Sequence, residues 1–255
     1  MGRVILPLAA LLVAAVSVHL AYIGYIRPEA EALIQAALAA GQTAPRDMVV
    51  VLKDVEQEIC LILTIWGVCL ISLKCWEILR SRFLFSVDFM EGVDEKKTDP
   101  ARILRELENL PQKTREAPLV RTLSASLRRF LITGDVQNTS DAVDSSVEAL
   151  ALRQEAETSM IRYLIWAIPS IGFIGTVRGI GLALSQADEA LAGNISNMTD
   201  SLGVAFNSTL VALLCSILLM FLLHQLQRLQ DGVVVDTQAY CEAFLLNRIS
   251  KTEDL

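Results

Sequence analysis

The sequence predicts an all-α fold: a polytopic membrane protein with four transmembrane helices and a helical cytoplasmic segment. Three observations carry that expectation. Apolar residues make up 53% of the 255, and they gather into four blocks, as membrane spans require. The segments between the blocks are charged and rich in helix formers. The basic residues are scarce on one side of the blocks and frequent on the other, so every segment agrees on a single topology with both termini in the cytoplasm.

Residues 4–26 contain no charged residue. At ~1.5 Å rise per residue such a helix is about 35 Å long, enough to cross a bilayer. It is too long for the apolar region of a secretory signal, and no clear A-x-A site ends it. His19 reads as a packed or interfacial histidine, because no acidic residue accompanies it in the run. Residues 27–58 form a polar outer loop with helical pieces. Pro28 suits a helix start and Gly41 a helix end, with an Ala-rich helix between them led by Glu29 and Glu31. Residues 59–73 are the core of the second span, flanked by Lys74, which reaches the inner surface along its aliphatic stem. Trp66 and Trp76 read as packing and interface residues.

Residues 80–158 are charged and helical. Asp99-Pro100 is an N-cap followed by a first-turn proline, which opens a helix through Leu110. Pro111 and Pro118 bracket a break, and 119–132 is amphipathic, with Arg121, Arg128 and Arg129 either a solvated face or a docking patch. Gly134 to Ser140 is expected to be a turn, and from Asp141 a helix can run without interruption into the third span. Residues 160–185 form that span. The loop 186–200 carries Asp188, Glu189 and Asp200 and no basic residue. No charge appears from Ser201 to Gln227, the fourth span, and Arg228 closes it. A tail helix follows, apolar at Leu226, Leu229, Val233, Tyr240 and Phe244, with Gly232 as its weak point. The chain therefore divides into 1–79, the first helix pair with its outer loop; 80–159, the cytoplasmic segment; 160–225, a second helix pair; and 226–255, the cytoplasmic tail.

That second helix pair carries the unusual chemistry. Residues 163–185, YLIWAIPSIGFIGTVRGIGLALS, hold Pro169 inside an apolar run, and Gly172, Gly175 and Gly179 at helical spacing. Thr176 shares their face. Small residues so spaced let helix backbones approach closely, and packing rather than hydrophobicity drives helix association in lipid. Residues 201–216, SLGVAFNSTLVALLCS, repeat the theme: Ala205, Thr209, Ala212 and Ser216 are spaced 4, 3 and 4 apart, and Asn207 and Ser208 widen the polar stripe. Pro169 frees a carbonyl one turn upstream and serves as a moving hinge or a fixed kink. Arg178 is a cation in a span, where it costs at least ~2.5 kcal/mol without a partner or a route to water. It can snorkel outward, pair with Asp200 or with an acid of a neighbouring subunit, or gate passage.

These two stretches together resemble the MotA/TolQ/ExbB family of ion-channel subunits. The resemblance rests on Pro169 with Ile171-Gly172, Gly175-Thr176-Val177, Gly179-Ile180, and Ala205 to Thr209 with the small residues after it, and it covers roughly 160–225. It implies a homopentamer around a dimer of a single-span MotB/TolR/ExbD-like partner carrying a membrane Asp, in the bacterial inner membrane. Ions cross at the interface and drive mechanical work, and Thr176 and Thr209 inherit the role of hydroxyls beside the partner's Asp. Arg178 departs from the family pattern, in which an apolar or aromatic residue is frequent there. Two spans before the cytoplasmic segment resemble the flagellar-stator branch, whereas the Gly-Thr-Val core is closer to ExbB and TolQ.

The chemistry of the residues points the same way. A proton or sodium pathway needs an ionisable group at membrane depth. No Asp or Glu lies in the four apolar cores, and hydroxyls and an amide cannot hold and release a proton near neutral pH. The carboxylate is therefore expected from another chain. Thr176, Thr209, Asn207 and Ser208 are the candidate ion-pathway residues; Pro169, Gly172, Gly175, Gly179, Ala205, Ala212 and Ser216 set packing and bend. Bonding of the two threonines to each other or to their own backbone, as packing groups, is the competing reading. The transported ion is H+ or Na+, and no cofactor or metal is expected, since the five cysteines lack metal or disulfide spacing. A net charge of −7 without a basic block argues against nucleic acid. An enzyme is not expected: G-x-S-x-G and H-E-x-x-H are absent. A small-solute transporter is disfavoured because the first helix pair does not repeat the Gly-Thr pattern, and a non-conducting scaffold remains the other alternative.

Overall fold

A computed structural model describes residues 2–39, 47–89, 99–193 and 195–253. No strand occurs among them. The helices are α1 (Gly2–Ala21), α2 (Arg27–Ala39), α3 (Met48–Leu52), α4 (Val55–Ser81), α5 (Pro100–Glu108), α6 (Gln112–Arg115), α7 (Pro118–Thr133), α8 (Val136–Ser185), α9 (Ala187–Leu191), α10 (Ser196–Tyr240) and α11 (Asn247–Glu253). Four helical stretches, Ile5–Ala37, Val55–Ser86, Val136–Ser185 and Ser196–Ser250, are long and apolar enough to cross a membrane. The chain divides into two compact units, one of residues 1–72 with 160–224, the other of residues 73–159 with 225–255.

The first unit buries small and aliphatic side chains of its four long helices, among them Ala14, Val18, Cys60, Ile161, Leu164, Ile168, Ala212, Leu219 and Leu223. Its outward-facing residues are large and apolar, as on helices that meet lipid: Leu12, Val16, Trp166, Phe173, Leu214 and Phe221 are all exposed. Trp66 is buried and donates its indole N–H to the Pro7 carbonyl at 2.9 Å. Gly67 admits Leu219, whose Cδ2 lies 2.9 Å from where a Cβ would stand.

Pro28 lies in the first turn of α2, as expected, but no break precedes it. The backbone stays helical from α1 into α2 through a π-helical turn at Tyr22–Ile26, closed by Arg27 N–H to Tyr22 O. The widened turn accommodates a proline that has no N–H for the ordinary ladder. Gly41 lies outside the described residues.

The second unit packs the faces of α5 and α7 with the end of α10 and its continuation: Leu84, Ile103, Leu107, Leu119, Leu123, Leu127, Val143, Tyr240, Leu245 and Ile249 form one apolar core. Asp99 caps α5, accepting from Ala101 N at 2.9 Å, with Pro100 in the first turn. Gly134 ends α7 in the left-handed conformation, φ 63°, and its N–H returns to Phe130 O at 2.7 Å. The expected turn over 134–140 is shorter than that. Asp135 accepts from Gln137 N at 3.1 Å and so starts α8 at Val136. From there α8 runs 50 residues without a break. Arg128, one of the three candidate docking arginines, donates to Glu108 at 2.6 Å and so is paired within the chain. The Tyr240 hydroxyl donates to Val87 O at 2.7 Å and accepts from Phe89 N at 2.9 Å, and Arg248 holds Asp88 with two bonds. The tail helix has no weak point at Gly232; it is interrupted by a π-helical segment at Cys241–Leu246.

Candidate functional site: the seam between α8 and α10

The glycine stripe of α8 faces the small stripe of α10. A Cβ on Gly172 would lie 2.4 Å from Ala212 Cβ; on Gly175, 2.5 Å from Ser208 Cβ and Oγ; on Gly179, 2.6 Å from Ala205 N. At all three positions any side chain would force the helices apart. Gly172, Gly175, Gly179, Ala205, Ser208 and Ala212 are buried. Only backbone and very small side chains meet here, and the approach is close enough for hydroxyls on one helix to reach carbonyls of the other.

Two hydroxyls do so. Thr176 and Thr209 bond to each other across the seam. Thr209 Oγ1 also lies 3.3 Å from Gly172 O, and Thr176 Oγ1 lies 3.2 Å from both Ala205 O and Gly172 O. Each hydroxyl has one hydrogen to donate and two lone pairs. The only acceptors besides the hydroxyls themselves are carbonyls, so both hydrogens are used within the chain and the unused capacity of the pair is lone pairs. Such a pair receives hydrogen bonds or cations and cannot offer a proton of its own. Both threonines are half-buried.

Ser208 turns from this pair. Its hydroxyl donates to Val204 O at 2.7 Å and receives Gln57 Nε2 at 3.5 Å. Asn207 lies about 200° around the helix from Thr209, and no hydrogen bond joins it to the hydroxyl pair. Of the four candidate ion-pathway residues, the structure therefore brings Thr176 and Thr209 together, seats Ser208 beside them against Gly175, and leaves Asn207 apart.

Pro169 has no N–H for the carbonyl one turn before it, that of Ile165. Ser216 supplies the missing donor from α10: its hydroxyl bonds Ile165 O at 2.9 Å. The free carbonyl is satisfied in place, and α8 continues helically through the proline.

Sequence reasoning missed the carboxylates. Glu56 and Glu58 fall in the first turns of α4 and are buried, with side chains 10% and 7% exposed. Glu56 Cγ packs 3.1 Å from the Cβ position of Gly175, next to Thr176. Arg178 neither pairs with Asp200 nor stands alone. Its Nη2 lies 2.8 Å from Glu56 Oε2 and 3.8 Å from Asp54 Oδ1. Glu58 is held by two donors, His19 Nδ1 and Arg27 Nη2, each at 2.6 Å. His19 thus has an acidic companion, brought from 39 residues away. A charge-based boundary assigned these acids to a loop. They enter the helix because each has a cationic or hydrogen-bonding partner and because a helix N-terminus favours negative charge. No feature of residues 54–58 alone gives the partners, which come from α1, α2 and α8.

The description MotA/TolQ/ExbB proton channel family belongs to the family model that matches residues 114–239. No curated protein and no solved structure matches the chain. The matched residues include both seam helices, the Thr176–Thr209 pair, Pro169 and Arg178, and extend beyond the 160–225 that carry the resemblance by motif. Residues 114–239, just under half of the chain, match the MotA/TolQ/ExbB proton channel family, the family its seam motifs resemble.

Proposed function

We propose that the chain is the ring subunit of a membrane motor driven by ion-motive force, with the proton as the ion. Five copies surround a dimer of a single-span MotB/TolR/ExbD-like partner in the bacterial inner membrane, with both termini cytoplasmic. The partner supplies an ion-binding Asp, and ion flow becomes rotation or other mechanical work. The chain carries no catalytic group in this reading and is not an enzyme.

The observation that carries the reading is the hydroxyl pair. One of its two hydrogens lies in the bond between the hydroxyls and the other goes to a carbonyl of Gly172 or Ala205, so lone pairs are what remain. That is the arrangement a protonated carboxylic acid needs: an acceptor for the acid's O–H, with the nearest charges, Glu56 and Arg178, paired to each other. Glu56 and Glu58 do not replace the partner's Asp, because both are held in ion pairs. The close seam fixes the hydroxyls while the partner moves past them. Pro169, with the Ile165 carbonyl it frees bonded by Ser216, serves in this scheme as a fixed bend.

The test is proton flux in liposomes containing the complex as isolated from its membranes. Thr209→Val should abolish flux driven by a pH gradient while the complex keeps its mass. Full flux in Thr209→Val would remove the hydroxyl pair from the pathway and favour a packing role in a non-conducting scaffold.

A further inference from the structure

Asp54 immediately precedes α4, and Gln57 lies three residues on, in its first turn. Gln57 has no exposed surface. Its Nε2 donates to Val51 O at 3.1 Å, which fixes the amide's orientation, since the reverse would set two acceptors against each other. Its Oε1 is buried and has no hydrogen-bond partner. Asp54 Oδ2 is likewise buried and unpartnered, in a side chain 15% exposed. Asp54 precedes α4 but does not cap it. Its other oxygen stays 3.8 Å from Arg178 Nη2, which is committed to Glu56 at 2.8 Å. Among the described residues, the other charges that act on it are Glu56 on α4, Arg27 on α2 and the adjacent Lys53.

Two buried, unpartnered acceptors three residues apart have nothing to share unless one of them gains a hydrogen. We propose that Asp54 is a proton-holding site of this chain, with Gln57 Oε1 as acceptor for the Asp54 O–H, directly or through one water. The Asp54 carboxylate takes a proton from hydronium at Oδ2, leaving water and a neutral acid, and gives it back by the reverse step. Burial pushes the Asp54 carboxyl above the usual carboxylate range, against the pull of Lys53 and Arg178. In the proposed motor, on which this role rests, Asp54 loads protons at the outer mouth of the α8–α10 seam, since Gln57 also touches Ser208.

The proton-holding claim is tested on the full chain in detergent by infrared difference spectroscopy between acid and neutral pH. A protonated-carboxyl band should persist above the pH at which ordinary carboxyls have ionised. It should disappear in Asp54→Asn and move to higher frequency in Gln57→Leu, which removes the acceptor and keeps the acid. Thermal unfolding gives a second readout. A carboxyl pKa raised in the folded state means stability falls as pH rises from the ordinary carboxylate range through the raised value. Asp54→Asn should therefore melt above the wild type at neutral pH, and the gap should close in acid. Absence of the band would overturn the proposal, leaving an ionised carboxylate with a structural water. Loss of the band on adding sodium chloride, but not potassium chloride, would overturn it in favour of a sodium site. In liposomes, a wild-type complex without proton flux defeats the motor reading and leaves the infrared result standing. Wild-type flux retained in full by Asp54→Asn defeats the loading role alone.

Discussion

Gly179→Ala is the most direct strike on the seam. Its Cβ would lie 2.6 Å from Ala205 N and 2.8 Å from Ser201 O, both backbone atoms, so no rotamer change relieves the overlap. Ordinary contacts begin at 3.4 Å, and the helices must part by about 0.8 Å. A gap of that size forfeits roughly a quarter to a half of each neighbouring dispersion contact. Overpacking costs about 1–3 kcal/mol, and alanine's better helix propensity returns up to ~1 kcal/mol. With the propensity gain realised in full, the expected net loss is about 0–2 kcal/mol, centred near 1. The same movement pulls Ala205 O from Thr176 Oγ1, now 3.2 Å apart, and should lower proton flux. Gly181→Ala is the control: it has the same chemistry on the same helix, with nothing within 4 Å of the new Cβ. Thermal unfolding in detergent and flux in liposomes, measured on both variants, decide the matter. Gly179→Ala should melt below the wild type and conduct poorly, while Gly181→Ala should match or exceed wild-type stability. A Gly179→Ala protein as stable and as conductive as Gly181→Ala would refute the close seam.

Other consequences follow from single contacts. Thr176→Val should abolish flux yet cost under about 1 kcal/mol, since interhelical hydroxyl bonds in membranes are weak; Thr176→Ser, which keeps the hydroxyl, should conduct. Arg178→Gln leaves Glu56 buried without its cation and should destabilise by about 1–3 kcal/mol, between the exposed and buried cases. Adding Glu56→Gln should recover most of that in a double-mutant unfolding cycle. Ser216→Ala strands the Ile165 carbonyl and should cost about 1–2 kcal/mol. In a Pro169→Ala background, where an N–H returns to the ladder, the same change should cost little.

The spans and their caps were legible because their signals are local. Asp99-Pro100 and Pro118 sit where the chain chemistry places helix starts, and a glycine every three or four residues announces a close helix face before any partner is known. The partner of that face was legible too, from the matching stripe Ala205–Thr209–Ala212–Ser216. Pairings over distance were not. Glu58 reads as a loop acid until His19 and Arg27 fold onto it, and Arg178 reads as an orphan until Glu56 arrives from 122 residues away. The turn at Tyr22–Ile26 was hidden for a different reason: proline ordinarily ends a helix, and a π register that carries the chain past it has no sequence signature. Ser216 was read as one more small residue, because its bond to Ile165 O appears only when the two helices are side by side.

The mass and composition of the complex extracted from its own membranes in mild detergent test the central claim most directly. Five copies of this chain with two of a single-span protein bearing a membrane Asp is the result the account predicts. A monomer or symmetric dimer, without such a companion and unchanged across detergents, would contradict it and leave Thr176 and Thr209 as packing residues.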